Sequence, residues 1–221
     1  MTLVRQIRGL FYSGFMSLPL VLVGIILFLA ASLGNLGLLM LSFGQILLVP
    51  FVVFVANMLH EFFFQGNPLF SVEAAKHCNL VPSADSIQSA SGMIGVAPSH
   101  WSAQITFFFV FLMTNAMVLY NKPPTEGADP AKVANRKAQT LTAFFISFAL
   151  FVALIVLRQT TGCETIVGTA LGILIVAPIA NGWYHLAALC GARDADVFGI
   201  LQKILPQNMK DEPPMTCVYS P

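Results

Sequence analysis

Residues 97–120 read Ala97-Pro98-Ser99-His100-Trp101-Ser102-Ala103-Gln104-Ile105-Thr106-Phe107-Phe108-Phe109-Val110-Phe111-Leu112-Met113-Thr114-Asn115-Ala116-Met117-Val118-Leu119-Tyr120. Pro98 halts whatever precedes it, because it has no backbone N–H and its ring restricts the residue before it. Ser99 is a good helix cap, since its hydroxyl can accept from a backbone N–H that the helix leaves unpaired. From there to Tyr120 the stretch holds no Lys, Arg, Asp or Glu. Twenty residues of α-helix rise about 30 Å, the thickness of a bilayer's hydrocarbon core. Trp101 and Tyr120 stand at the two ends, where aromatic side chains anchor a span in the interfaces. The stretch is read as a transmembrane helix with a sharp start and a sharp end.

The rest of the chain has the same character. Of its 221 residues 57% are hydrophobic and 10% charged, whereas a soluble domain carries about 25% charged residues. The net charge of +1 gives no electrostatic reason to expect nucleic acid as a partner. The expected fold class is all-α, a polytopic transmembrane helical bundle of about five spans. These are placed at residues 13–33, 36–59, 99–120, 140–157 and 165–189, a membrane domain of residues 1–190. Residues 191–221 form a tail with an amphipathic segment at 194–205 and a Pro-rich end. The bilayer is the expected partner.

Arg5 and Arg8 lie on a short amphipathic lead-in to the first span. This Arg-bearing start and the Leu-Ala-Ala-Ser at residues 29–32 resemble a signal peptide, but a second apolar run follows at once, so retention as a span is expected. Gly34 and Asn35 mark a turn, which makes the first two spans an antiparallel hairpin. Pro50 in the second span and Pro178 in the fifth are expected kinks, each removing one backbone hydrogen bond. Residues 60–97 are a long connection between spans two and three, with a small-residue run at 83–98 that suits a re-entrant or interface-hugging path packed on protein. Asp129-Pro130 opens a short helix leading into the fourth span. Arg158 to Glu164 is read as a loop. Gly168 and Gly172 have the small-xxx-small spacing that lets another helix approach closely.

Five spans put the termini on opposite faces. One face holds four basic residues, Arg5, Arg8, Lys76 and Arg158, and the other seven, Lys122, Lys132, Arg136, Lys137, Arg193, Lys203 and Lys210. The positive-inside bias makes the second face, with the C-terminus, cytoplasmic; Arg5 and Arg8 pull the other way. Cys78 and Cys163 fall on the first face, where an oxidised pair can persist, so they are a disulfide candidate, with two unpaired thiols as the alternative. Cys190 and Cys217 fall on the second.

His60, Glu61, His77, Cys78 and His100 share a face near membrane level. Three imidazoles with a carboxylate or thiolate suit zinc, yet no pair has i, i+4 or Cys-x-x-Cys spacing. Loop and helix-end histidines, with no metal or cofactor, are therefore expected. Pro98-Ser99-His100 resembles the Pro-Ser-Gly-His element of the membrane lipid phosphatase family. There the His protonates a leaving group, a second His attacks phosphorus, and Lys and Arg hold the phosphate. This chain lacks the Gly, has no Lys followed by Arg-Pro, and has no Ser-Arg with a His and Asp behind it. Gln45, Asn57, Gln104, Asn115, Asn181 and His185 lie in or near spans. Such groups face a bundle's interior and are functional suspects, but amides more often hydrogen-bond between helices for about 0.6 kcal/mol each. The absence of Asp, Glu, Lys and Arg from the assigned spans argues against a pump or ion-coupled transporter, and five spans do not divide into matching halves.

Three stretches resemble short multi-span membrane proteins of large nucleocytoplasmic DNA viruses, which build virions around an internal membrane. They are residues 98–101 with Phe107-Phe108-Phe109 and Thr114-Asn115-Ala116, then Asn135-Arg136-Lys137-Ala138-Gln139 with Thr160-Thr161-Gly162-Cys163-Glu164, and residues 190–200 with Glu212-Pro213-Pro214. The resemblance implies a virion internal membrane or a host endomembrane as the setting, with membrane or capsid proteins as partners, and no assigned chemistry. The expected function is structural or scaffolding and non-enzymatic. The alternatives are a lipid phosphatase-like enzyme using His100 and a small channel or transporter.

Overall fold

The computed structural model describes residues 2–64, 71–73, 93–95, 99–124, 130–160 and 164–190. Its helices are α1 (Thr2–Leu33), α2 (Leu36–Phe43), α3 (Val49–Phe64), α4 (His100–Asn121), α5 (Pro130–Thr160) and α6 (Ile166–Leu189), with a π-helical turn (Gly44–Leu48) joining α2 to α3. Among the described residues five helical stretches are long and apolar enough to cross a membrane: Gly14–Leu33, Leu36–Leu59, His100–Asn121, Pro130–Thr160 and Ile166–Leu189. Two short strands, Ser71–Glu73 and Met93–Gly95, pair antiparallel with Val72 opposite Ile94, a pairing not expected in the long connection, which the sequence suggests follows a re-entrant or interface-hugging path. Cys78, Cys163, His77 and the 194–205 segment lie outside the described residues.

Local chemistry sets the helix ends. Gly34 takes φ 61°, a left-handed conformation that costs glycine nothing, and Asn35 Oδ1 then caps α2 by accepting from the N–H groups of Gly37 and Leu38. Ser99 caps α4 by accepting from Ser102 N–H, as its position predicts. Thr165 caps α6 through Gly168 N–H. Pro130, pre-set for helical φ and needing no N–H, stands at the first position of α5. From there α5 runs unbroken, so the short helix expected at Pro130 and the fourth span are one element. It also runs past the expected end of that span, and Arg158 is helical rather than part of a loop.

Helix α4 is the hub. It packs along both α5 and α6 and also touches α1, α3 and the π-turn. Phe107 and Phe111 enter one core cluster with Ile26, Leu41, Val53, Val176 and Ala180, while Trp101, Ile105 and Phe109 enter a second with Phe151. The face that α6 buries includes Gly168, Gly172, Val176 and Ala180. Outside, the bundle is apolar: Phe28, Leu47, Phe51, Phe145 and Leu174 are all exposed. Exposed apolar surface on this scale suits lipid rather than water.

The second span does not simply bend at Pro50. Val49 N–H reaches back five residues to Gly44 C=O, and this wider turn falls where the proline ring would meet the carbonyl four residues before it. The same turn brings Gly44 against the core. A Cβ placed there would lie 2.3 Å from Phe107 Cζ and 2.8 Å from Trp183 Nε1. Phe107 is fully buried and has nowhere to retreat. Exchanging glycine for alanine inside a helix is normally worth about 0.5–1 kcal/mol in favour of alanine, whereas overpacking a core costs about 1–3 kcal/mol. Gly44→Ala is therefore expected to lower stability in a detergent unfolding titration. Gly24→Ala, where no neighbour lies within 4 Å, should be neutral or stabilising. Equal behaviour of the two would contradict the close approach.

Candidate functional site

The described polar side chains converge most strongly at the end of the bundle where α4 and α6 begin and α5 ends. Arg158, in the last turn of α5, and Glu164, just before the cap of α6, form an ion pair with Nε 2.8 Å from Oε1 and side chains only 6% and 2% exposed. The carboxylate is held on both oxygens. Oε1 also accepts from Ser99 Oγ, and Oε2 accepts from Thr169 Oγ1 at 3.1 Å. Thr169 Oγ1 in turn accepts from Gln159 Nε2. Ser102 Oγ lies 3.0 Å from Ser99 Oγ and can donate to it or, at 3.2 Å, to Ser99 C=O. The guanidinium rests against Met16 Sδ of α1, with its Cζ 5.1 Å from the centre of the Trp101 ring.

Trp101 explains how α1 joins this cluster. Pro19 lies inside α1 and has no N–H to give the carbonyl four residues earlier, that of Phe15. Trp101 Nε1–H donates to this freed carbonyl at 3.1 Å, and the two rings sit 4.9 Å apart. Trp101 was expected to be an interfacial anchor. It is instead turned inward and 7% exposed, because Phe15 C=O and the Arg158 cation give its N–H and its ring face partners inside the bundle. Tyr120, at the other end of α4, remains 36% exposed.

At mid-depth the in-span amides join helices. Asn115 Nδ2 donates to Tyr184 OH at 3.1 Å, Gln45 Nε2 to Gln104 C=O at 3.5 Å, and Thr114 Oγ1 to Asn181 Oδ1 at 3.4 Å. Trp183 Nε1 donates to Met40 C=O at 2.8 Å. Gln45 Oε1 and Thr106 Oγ1 are buried without a hydrogen-bond partner among the described residues.

Of the zinc-type set read from the sequence, the structure describes only the side chain of His100, half-buried at the first position of α4. His60 and Glu61 fall in the last turns of α3. Among the described residues no three His, Cys, Asp or Glu side chains come together. Cys190 is an exposed thiol at the end of α6.

The sequence reading missed the ion pair by assigning Arg158 and Glu164 to a loop. A signal was available: residues 141–189 contain one Arg, one Glu and no Lys or Asp. Two opposite charges isolated in so apolar a stretch are expected to find each other, because either alone is costly at membrane depth. Fold and site together define a multi-pass helical membrane protein with a buried charge cluster at one end. Comparison with protein-family models, with curated proteins and with solved structures finds no match.

The link between Pro19 and Trp101 is testable by a double-mutant cycle. Trp101→Phe leaves a part-buried carbonyl unpaired, at a cost of up to about 1–3 kcal/mol. Pro19→Ala restores a backbone N–H to that carbonyl, so the same tryptophan substitution should cost measurably less in the alanine background. Equal costs in an unfolding titration would refute the assignment.

Proposed function

We propose that the chain is a structural membrane protein, a scaffold that contributes shape and lateral contact surface to a bilayer rather than catalysis or transport. The observation that carries this reading is where its polar groups are committed. The carboxylate of Glu164 takes hydrogen bonds from Arg158, Ser99 and Thr169; the first two tie the approach to α6 to the end of α5 and the start of α4, and the third fixes it on the first turn of α6. The bundle interior is filled by aromatic side chains, with Phe107 and Phe111 fully buried, an arrangement suited to a rigid body more than to a water-filled path. A lipid phosphatase built on His100 would need cations to hold a phosphate, and Arg158 is already engaged by Glu164. The resemblance to membrane proteins of large DNA viruses supports a virion internal membrane as the place where such a scaffold would act, among other membrane or capsid proteins.

Three measurements separate the readings. Purified protein in phosphatidic acid liposomes should release no more phosphate than its His100→Ala variant. Planar bilayers containing it should show no unitary currents. In infected cells it should co-purify with the virion membrane fraction. Release of phosphate that depends on His100 would make it an enzyme, and reproducible currents would make it a pore.

A further inference from the structure

At the Tyr120 end of the bundle, α5 projects beyond its partner. Two contacts fix the register: Arg136 Nη2 donates to Lys122 C=O at 2.7 Å, and Lys137 Nζ stands 5.7 Å from the centre of the Tyr120 ring. Residues 136 and 137 are therefore level with the end of α4, and α5 continues outward through residues 130–135 for about 9 Å at 1.5 Å per residue. Lys132 and Arg136 are one turn apart. Their stripe continues down the helix as Thr140, Ser147 and Phe151, which are buried in the bundle. The projecting part thus carries its cations on the side that overhangs the bundle end, and Lys132 and Arg136 are both half-buried.

Lys122 and Lys137 are exposed beside them, so three cations gather level with the end of α4 and Lys132 stands one helical turn, about 6 Å, further out. The connecting residues add Glu126 and Asp129, which leaves residues 122–137 with four basic and two acidic side chains. The depth of the cluster is set by its neighbours. Tyr120 ends the apolar run of α4, and on α5 Leu141, Phe145 and Ile146 are exposed lipid-type surface just below the cluster. The cations therefore lie at headgroup depth. A soluble anion would have to be gathered from water, whereas a phospholipid phosphate is held in the leaflet at that level.

We propose that this overhang, built from Lys122, Lys132, Arg136 and Lys137, is a seat for the headgroup of an anionic phospholipid of the surrounding leaflet. The proposal rests on the chain's being a membrane protein and not on its scaffold role. Clusters of basic residues directly beside a span attract anionic lipid, and each cation contributes independently to the attraction.

The test uses the full chain purified in a zwitterionic detergent, titrated with dioleoyl phosphatidylglycerol or dioleoyl phosphatidylcholine, with bound lipid counted by native mass spectrometry. Phosphatidylglycerol should bind at least about tenfold more tightly. Lys132→Gln should weaken it about fivefold and Lys132→Gln with Arg136→Gln about thirtyfold. Arg5→Gln with Arg8→Gln removes the same charge at the opposite end of the bundle and should weaken binding by less than the single Lys132→Gln change. Circular dichroism checks the fold of each variant, and the Lys132→Gln result stands by itself if the double variant fails to fold. Equal binding of the two lipids, an equal loss in the Arg5/Arg8 variant, or full displacement of the lipid by millimolar inorganic phosphate would overturn the proposal.

Discussion

A guanidinium and a carboxylate withdrawn from water cost several kcal/mol each even after relaxation, and their attraction offsets this only when geometry is good and the remaining donors and acceptors are satisfied. The pair formed by Arg158 and Glu164 meets that condition through its neighbours. Ser99 and Thr169 bond the carboxylate, while Met16 and the Trp101 ring cover the guanidinium. Those neighbours come from α1, from both sides of the α4 start and from α6, and the pair itself joins the end of α5 to the approach to α6. Four of the five spans thus meet at one charge pair. Displacing any one of them would leave a buried charge less well satisfied or the part-buried Phe15 carbonyl without its donor.

The remaining span, α2 with the π-turn and α3, is joined by fit rather than charge. Gly44 lets Phe107 lie against its backbone, Trp183 donates to Met40 C=O, and Gln45 reaches Gln104 C=O. Two prolines have opposite consequences. Pro50 is accommodated within its own helix by the wider π-turn. Pro19 exports its deficit, and a side chain of another helix supplies the missing donor. Helix α4 serves both halves because its aromatic residues fall on two faces, Phe107 and Phe111 on one and Trp101 and Phe109 on the other.

The number of spans and the class of fold were legible in the sequence because the signal is a sum over some twenty residues: each apolar run exceeds the membrane thickness, and helix caps such as Ser99 are local chemistry. The sharp start of α4 was legible from Pro98 and Ser99, but its packing against all the other spans was not. The charge pair was not read, because Arg158 and Glu164 stand at segment ends, where a single charge looks like a loop residue until the partner's position is known. The inward turn of Trp101 was hidden for a different reason. An indole at a span end suits a membrane interface equally well, and only the proximity of Pro19, 82 residues earlier in the chain, supplies the competing acceptor. The overhang of α5 was also obscure, since α4 ends before the connection and α5 begins at Pro130, so the offset between them is a property of packing.

The central claim is that the buried pair holds the Ser99 end of the bundle together, and its most direct measurement is a double-mutant cycle at Arg158 and Glu164 followed by unfolding in detergent. Removing one partner of a buried pair strands the other and typically costs about 3–5 kcal/mol, whereas replacing both with apolar side chains of similar volume is often near neutral. Arg158→Met and Glu164→Leu should each be strongly destabilising, and the double variant should be more stable than either single one. If both single variants lie within about 0.5 kcal/mol of the parent, as surface substitutions do, or if the two costs simply add, the pair does not hold the bundle in the way its geometry indicates.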